Sequence, residues 1–294
     1  MRVACVVIVG VAACNFTSNA GSDGGNGLMP GLDAPGEASM VDSDGDGIVD
    51  GLDNCPHQAN PDQHDEDRDG IGDVCDLCPQ VAAMQIDSDG DGIGDDCDPH
   101  PLIAGDVLVT FEPFATPGGL PADTLLVVGT ASDWTVANDE LSNTGLDLTD
   151  VLVLDAGAPN QTIDAGVTVI EVEPTASSTI AIMAITDSES TANDFFACVA
   201  STNLEPNYTL YYDAGGSSTE LDFDSLTIAT FPGVFRLRSR IDDEGESCAI
   251  DATPPPAMLT SAISPIGNTY VGLRFREVIV SVQYIAVYVS PSST

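Results

Sequence analysis

The chain contains the stretch Asp42-Ser43-Asp44-Gly45-Asp46-Gly47-Ile48-Val49-Asp50-Gly51-Leu52-Asp53, and close copies of it follow at residues 65–76 and 87–98. Each copy has Asp at positions 1, 3, 5, 9 and 12, Gly at position 6 and Ile at position 7. This is the oxygen-donor layout of a twelve-residue calcium loop. The pattern predicts Ca²⁺ ligands at Asp42, Asp44, Asp46, Ile48, Asp50, Asp53, Asp65, Asp67, Asp69, Ile71, Asp73, Asp76, Asp87, Asp89, Asp91, Ile93, Asp95 and Asp98.

The residue types suit a hard cation. Calcium takes six to eight oxygens at about 2.3–2.6 Å, and Gly at position 6 permits the sharp turn that gathers them. The backbone carbonyl at position 7 can coordinate, while the Ile side chain packs outward. Position 12 is Asp rather than the longer Glu, so water or a neighbouring loop must complete the shell. An acidic disordered linker would not need Asp in the same places three times. Zinc is disfavoured, because His57, His64 and His100 lie outside the loop positions, and we expect them to be solvated.

Four cysteines follow the same repeat. Cys55 comes just after the first loop, Cys75 and Cys97 occupy the same place in the second and third loops, and Cys78 repeats the setting of Cys55. We expect the pairs Cys55–Cys75 and Cys78–Cys97. Each closes a loop of about 20 residues, which stabilises by about 3 kcal/mol in the chain-entropy model.

The repeats resemble a known family. The Asp-rich loops, the phrases Asp53-Asn54-Cys55-Pro56 and Gly72-Asp73-Val74-Cys75-Asp76, and the steps of 22–23 residues are similar to thrombospondin type 3 repeats. The resemblance covers residues 41–101. It implies calcium ions held on a core of metal and disulfides with almost no hydrophobic interior, and a link with cell adhesion and extracellular assembly.

The net charge is −40, and all seven basic residues are Arg. Such a balance argues against nucleic acid or anionic lipid as a direct partner. Within residues 41–101, Arg68 is the single basic residue against 18 acidic residues, so this segment cannot collapse without a counter-ion. We therefore expect metal binding and folding to be one event.

The N-terminus predicts export. Residues 1–13 combine one cation with a short apolar run, which is typical of a secretory signal and too short for a membrane span. Val11-Ala12-Ala13-Cys14 resembles a bacterial lipobox, which implies lipidation of Cys14 and an outer-membrane or cell-surface lipoprotein; plain secretion is the alternative. Residues 14–40 are rich in Gly, Ser and Asn and predict a flexible tether. Six cysteines remain beyond Cys14, an even number that suits an oxidising compartment.

Residues 102–294 predict a mainly β domain. Short runs rich in Val, Ile, Thr and aromatic residues occur at 107–111, 124–128, 151–154, 167–172, 179–185, 195–200, 208–212, 234–241, 269–275 and 278–289. No helical period interrupts them, which favours an antiparallel β-sandwich or barrel. The turn at Asn138-Asp139 and the long last strand resemble the concanavalin A-like jelly roll of lectins and laminin-G modules. Cys198 and Cys248 are expected to form a bridge between neighbouring strands.

The residues of this domain that could act in catalysis favour a protein that is not an enzyme. Glucanases of the resembled fold carry Glu-x-Asp-x-x-Glu, whereas the nearest phrase here is Glu171-Val172-Glu173-Pro174, and no His lies beyond His100. Arg236, Arg238 and Arg240 share one strand face; they could bind an acidic sugar, but we expect a solvated face. Its pairing acids would be Asp242, Asp243, Glu244 and Glu246. Trp134, the single Trp, is expected in the core rather than on a sugar ring.

Together these patterns predict a calcium-ion-binding cell-surface protein with an adhesion or envelope-structural role, presenting a lectin-like β-sandwich. Calcium ions, and possible glycans or surface proteins, are the expected partners. The alternative is an envelope carbohydrate hydrolase with a calcium-stiffened spacer. A peptidoglycan-binding envelope protein is a third possibility, disfavoured because the pattern after Pro101 is β throughout.

Overall fold

The computed structural model describes residues 41–291, apart from 123, 147–148, 174–177, 186–194, 202–206, 215–216, 225–231, 243–244, 252–257 and 262–269. The signal, the tether and Cys14 lie outside the described residues. Residues 41–106 contain turns and bends but neither strand nor helix. Strands begin only at Val107, and none of the helices within the described residues is long and apolar enough to cross a membrane.

The strands described after residue 106 form two antiparallel sheets, which confirms the predicted β-sandwich, and one short 3-10 helix spans Ala131–Asp133. The strands are β1 Val107–Glu112, β2 Leu125–Val128, β3 Trp134–Ala137, β4 Glu140–Asn143, β5 Thr149–Asp155, β6 Gln161–Val172, β7 Thr179–Ile185, β8 Phe195–Ser201, β9 Asn207–Ala214, β10 Ser217–Asp224, β11 Gly233–Asp242, β12 Gly245–Asp251, β13 Leu259–Ser261, β14 Tyr270–Arg276 and β15 Val278–Val289. One sheet has eight strands in the order β13-β12-β11-β6-β15-β4-β3, with β1 also paired to β15. The other has seven, in the order β10-β9-β8-β7-β14-β5-β2.

The core lies between the sheets because alternate residues of each strand point inward. Leu152 and Phe275 from the seven-stranded sheet meet Leu141 and Val282 from the eight-stranded sheet, all at most 1% exposed. Trp134 is also core, as predicted, with its ring centroid 5.8 Å from that of Phe275.

The β3–β4 hairpin forms as the sequence indicates. Asn138 and Asp139 both have positive φ, at 56° and 61°, which a type I′ turn requires at its two central residues. The pairing of Val136 with Leu141 then sends both side chains into the core.

Three strands were not predicted. β10, β12 and β13 carry Ser, Glu, Asp and Cys in place of the apolar run that marks a strand, and their pairing with already formed neighbours holds them in the sheets. Residues 41–294, repeats and sandwich together, form one compact unit.

Candidate metal centres

The three loops share one backbone turn. The Asp at position 1 accepts two backbone N–H bonds with its two carboxylate oxygens, as Asp42 does from Gly45 at 2.7 Å and from Gly47 at 3.2 Å. Asp65 and Asp87 make the same pair of bonds. Positions 4 and 6 are left-handed in every loop, so Gly occupies position 6 throughout, although Arg68 takes position 4 of the second loop with φ 64°.

This turn gathers the predicted ligands at positions 1, 3 and 5. In each loop the three carboxylates offer one oxygen apiece within 4.8 Å of one another; the groups are Asp42, Asp44 and Asp46; Asp65, Asp67 and Asp69; and Asp87, Asp89 and Asp91. One oxygen of each position-3 Asp, namely Oδ2 of Asp44, Asp67 and Asp89, is buried and has no hydrogen-bond partner among the described residues. Converging carboxylates with a buried bare oxygen suit a hard cation, so the residues fit calcium.

Crowding of the carboxylates changes their proton affinity. Burial, together with the neighbouring carboxylates of Asp69, Asp76 and Asp65, raises the pKa of Asp67 to about 7. Burial likewise raises the pKa of Asp44 and of Asp89. The pKa of Asp87 is lowered instead, because backbone N–H groups, that of Gly90 first, donate to its carboxylate. Their surroundings therefore disfavour the charged form of the position-3 carboxylates, a cost that a bound cation would offset.

The Asp at position 9 closes each loop and lies outside the converging groups. Asp50 accepts bonds from the backbone N–H and the hydroxyl of Ser43, both at 2.8 Å. Asp95 does the same with Ser88, and Asp73 accepts the backbone N–H of Glu66. A ligand role for these residues stays a prediction.

The Asp at position 12 accepts the backbone N–H two residues further along, in all three loops. Asp53 and Asp76 each also accept a side-chain amide N–H, from Gln63 at 2.8 Å and from Gln85 at 2.7 Å. Asp98 differs, because its carboxylate joins those of Asp91 and of Asp106, a residue that the loop pattern did not predict. Burial, with the nearby Asp106 carboxylate, raises the pKa of Asp98 to about 7.

The position-7 side chains take different surroundings. Ile93 is 4% exposed and packs with Tyr288 of the sandwich, whereas Ile48 and Ile71 are half-buried. Outward packing of the side chain therefore follows the prediction most closely in the third loop. Coordination by the position-7 carbonyls stays a prediction.

Two of the histidines are not solvated, contrary to our expectation. His64 Nδ1 lies 2.6 Å from Asp73 Oδ2, and His100 Nδ1 lies 3.0 Å from Asp106 Oδ2. Burial acts to lower the pKa of His64, but the Asp73 carboxylate outweighs it and the pKa is raised overall. His57 is exposed, as expected. The folded loops supply carboxylates beside His64 and His100 that their sequence neighbours do not reveal.

Disulfides join the repeats at the predicted pairs Cys55–Cys75 and Cys78–Cys97. A side chain at Gly94 would put its Cβ 2.8 Å from Cys78 Sγ, so the second bridge requires Gly there. The third bridge, Cys198–Cys248, connects β8 with β12. This is the predicted pair, but the two strands belong to different sheets, so the bridge crosses the core instead of joining neighbouring strands.

The third repeat docks on the outer face of the eight-stranded sheet. Cys78, Ile93 and Cys97 form a buried cluster with Ala286 and Tyr288 of β15. A polar contact lies beside it: the amide nitrogen of Gln80 is 2.6 Å from the hydroxyl of Tyr288 and 3.4 Å from Asp164 Oδ2.

The docked repeat reaches one end of the arginine face of β11. Arg236 and Arg238 both pair with Asp164 of β6, and Arg240 pairs with Asp242 and donates to the carbonyl of Pro99 at 3.2 Å. Asp242 was a predicted partner, but Glu246 lies on the core face of β12 and is 2% exposed. Asp243 and Glu244 lie outside the described residues. The expected pairing of these arginines with acids therefore holds for Asp242, while the three arginine side chains are half-buried rather than fully solvated.

Comparison with known protein families agrees with the repeats predicted from the sequence. The family model for the thrombospondin type 3 repeat matches residues 33–63 and 64–85. The chain carries thrombospondin type 3 repeats. No curated protein matches the chain.

Solved structures similar to this chain include binding modules and a lectin. The CBM2 module of the evolved Dit of Lactobacillus casei BL23 phage J-1 has a TM-score of 0.49 at 12% identity, covering 64% of this chain and 98% of that one. The lectin from Bauhinia forficata, in complex with GalNAc, has a TM-score of 0.47 at 8% identity, covering 65% and 100%. The GH43 protein BlXynB from Bacillus licheniformis has a TM-score of 0.47 at 11% identity, and the match covers 62% of this chain but only 39% of that one.

Proposed function

We propose that this chain is a calcium-ion-binding cell-surface protein whose repeats present a lectin-like β-sandwich, with a role in adhesion or envelope structure. The observation that carries the calcium assignment is the buried, unpartnered Oδ2 atom at position 3 of all three loops. A disordered acidic linker would leave these oxygens in water. Ions at these places would neutralise carboxylates that otherwise repel one another.

Calorimetric titration of the oxidised full chain with calcium tests the assignment. We expect dissociation constants in the weak extracellular range, about 10⁻⁴–10⁻³ M, because position 12 is Asp. Asp67→Asn should weaken one class of sites, whereas Glu171→Gln, which removes one exposed charge from β6, should leave the titration unchanged. Heat changes that are absent in the wild type, or equal losses in both variants, would contradict the proposal.

For a glycan, we propose the outer face of the seven-stranded sheet, because the third repeat docks on the outer face of the other. Tyr270 and Arg274 of β14 are half-buried and lie on that face, since Val271, Leu273 and Phe275 point into the core, and Tyr270 packs against a buried apolar cluster there. A tyrosine ring and a guanidinium on one face can stack on and hydrogen-bond to a sugar. A glycan array with wild type and with Arg274→Ala tests this, and binding that the substitution leaves intact would place the ligand elsewhere.

We propose further that the sandwich is not catalytic. Glu171 and Glu173 lie at and just beyond the end of β6, with Glu171 exposed, and no third carboxylate completes the glucanase phrase. A panel of polysaccharides incubated with the calcium-loaded chain tests this. Release of reducing ends that is lost on Glu171→Gln would favour the hydrolase alternative.

We also propose export and an N-terminal lipid anchor. The three disulfides suit an oxidising compartment, and the lipobox-like Val11-Ala12-Ala13-Cys14 supports the anchor. Expressed in a bacterial host, the mature chain should begin at an acylated Cys14, and Cys14→Ser should abolish the acylation. Mass spectrometry that finds an unmodified N-terminus at another residue would leave the protein secreted without an anchor.

A further inference from the structure

A cavity of about 160 Å³ lies at the junction between the third repeat and the outer face of the eight-stranded sheet. Its sheet side carries Arg238 and Arg240, which are two residues apart on β11 and therefore point to the same face. Pro99 lines the cavity from the repeat side. The volume is below the roughly 300–1,000 Å³ of pockets that enclose a whole ligand, so this cavity suits a single small group of a larger molecule.

Arg238 has hydrogen-bond donors to spare. Among the described residues its guanidinium makes one hydrogen bond, from Nη2 to Asp164 Oδ2 at the long distance of 3.4 Å. That oxygen is already held by Arg236, whose Nε lies 3.0 Å from it. A guanidinium carries five N–H donors, and 36% of the Arg238 side chain is exposed, so most of its donors are open to a ligand.

The charges on the sheet side of the cavity favour an anion. Arg236 pairs with Asp164, and Arg240 pairs with Asp242. These two pairs balance two of the three arginines of β11. The guanidinium of Arg238 is therefore left as the excess positive charge of this face.

The repeat side of the cavity contributes one acid to the lining, Asp98. A calcium ion in the third loop would offset the charge of Asp98, and this step rests on the proposed function. One net positive charge then favours a singly charged anion, such as a carboxylate, over a doubly charged phosphate.

The uncharged lining residues suit a hydroxylated ligand. Ser247, Arg240 and Thr162 lie side by side across β12, β11 and β6, because they pair in register. Thr162 is 2% exposed, and its hydroxyl oxygen is buried with no hydrogen-bond partner among the described residues. An unpaired buried hydroxyl costs free energy, which a ligand oxygen would recover. Met258, which also lines the cavity and is 61% exposed, adds carbon surface where the cavity opens to solvent.

We propose that this cavity binds the carboxylate of a hexuronic acid, with Arg238 as its anchor. A guanidinium binds a carboxylate through two parallel N–H···O bonds, which fixes the orientation of the sugar. The sugar ring then contacts Ser247 and Met258, and the ligand touches the third repeat at Pro99. This site is separate from the face that carries Arg274, and it adds acidic glycans to the proposed function.

Saturation-transfer NMR of the oxidised full chain in saturating calcium tests the site, with sodium glucuronate as the probe and glucose as its neutral match. We expect glucuronate to bind in the millimolar range and glucose not to compete with it. Arg238→Gln should weaken glucuronate binding about tenfold or more, because hydrogen bonds between charged groups are lost. Arg276→Gln removes an exposed positive charge from the other sheet, so it is the matched control and should bind as the wild type does. Equal affinities of Arg238→Gln and the wild type, or competition by glucose, would overturn the proposal, and sulfate that binds as tightly as glucuronate would overturn the assignment to a uronic acid.

Wild-type crystals soaked in glucuronate give a test that does not depend on the variant folding. A carboxylate within hydrogen-bond distance of the Arg238 guanidinium supports the site. Glucuronate on the Arg274 face alone, or bound nowhere, overturns this site and leaves the calcium assignment standing. The calcium assignment fails separately, if the calorimetric titration shows no binding of the metal.

Discussion

Tyr288→Phe removes one hydroxyl from the contact between the last repeat and the sandwich. That hydroxyl lies 2.6 Å from the amide nitrogen of Gln80, and Tyr288 is 1% exposed. Loss of the bond costs about 1 kcal/mol net, and the buried amide left with Asp164 at 3.4 Å adds to it, so we expect about 1–2 kcal/mol in total. For a body of this size that corresponds to a fall of about 2–8 °C in melting temperature.

The assay is differential scanning calorimetry of the oxidised chain in saturating calcium, arranged as a double-mutant cycle. Gln80→Met, which keeps the length of the side chain but removes its amide, is combined with Tyr288→Phe. We expect the two losses to be non-additive by about 1 kcal/mol, because each variant breaks the same bond. Tyr270→Phe, on the opposite sheet, is the control and should add independently to Gln80→Met.

The result that would refute this reasoning is a coupling energy near zero between Gln80 and Tyr288. Two separate transitions, with Tyr288→Phe shifting only the one that belongs to the sandwich, would refute it as well. Either outcome would mean that the repeats contact the sheet without contributing to its free energy of unfolding.

Three further predictions concern single features. Burial raises the pKa of Glu246 well above its ordinary value, so its contribution to stability is present below the unfolded pKa of about 4.3 and is lost as pH rises through the folded pKa. Glu246→Gln should therefore gain stability relative to wild type between pH 5 and pH 8. Urea unfolding curves at the two pH values that show an unchanged difference between variant and wild type would contradict this. Replacing Cys198 and Cys248 by Ala should cost about 4 kcal/mol, since the bridge closes a loop of 50 residues, and a shift of the urea midpoint worth under about 1 kcal/mol would mean that the bridge adds little to the core. Asp69→Ala should weaken calcium binding while leaving the melting temperature of the sandwich unchanged. Asp91→Ala should lower both the calcium affinity and that melting temperature, because Asp91 holds the backbone at the start of β1. Equal effects of the two variants on the melting temperature in calorimetry would argue against that distinction.

The loops could be predicted because their chemistry is local. A carboxylate at positions 1, 3 and 5 and a glycine at position 6 act within twelve residues, so the spacing alone indicates the converging groups. The same holds for the β3–β4 hairpin, where Asn138-Asp139 determines the turn. Short runs of Val, Ile and Thr along the sequence similarly predict the strands of the sandwich.

The junction could not be predicted, because its residues come together only through tertiary packing. Gln80 and Tyr288 are 208 residues apart, and Asp164 meets Arg236 across paired strands. A lone Asp106 before a strand carries no pattern that marks it as a partner of the third loop. The three missed strands depend in the same way on neighbours, because each has too few consecutive apolar or β-branched residues to mark a strand.

The two disulfides in the repeats determine how this segment carries tension. When the chain is pulled between residue 41 and the sandwich, the force passes through the Cys55–Cys75 and Cys78–Cys97 bridges. About 37 of the roughly 60 residues then lie inside the two closed loops and bear no force. If calcium were lost, the segment could therefore lengthen to only about 90 Å, against about 200 Å for the reduced chain at ~3.4 Å per residue. The bridges would thus limit how far the repeat segment can extend, while calcium, if bound as proposed, would set its stiffness.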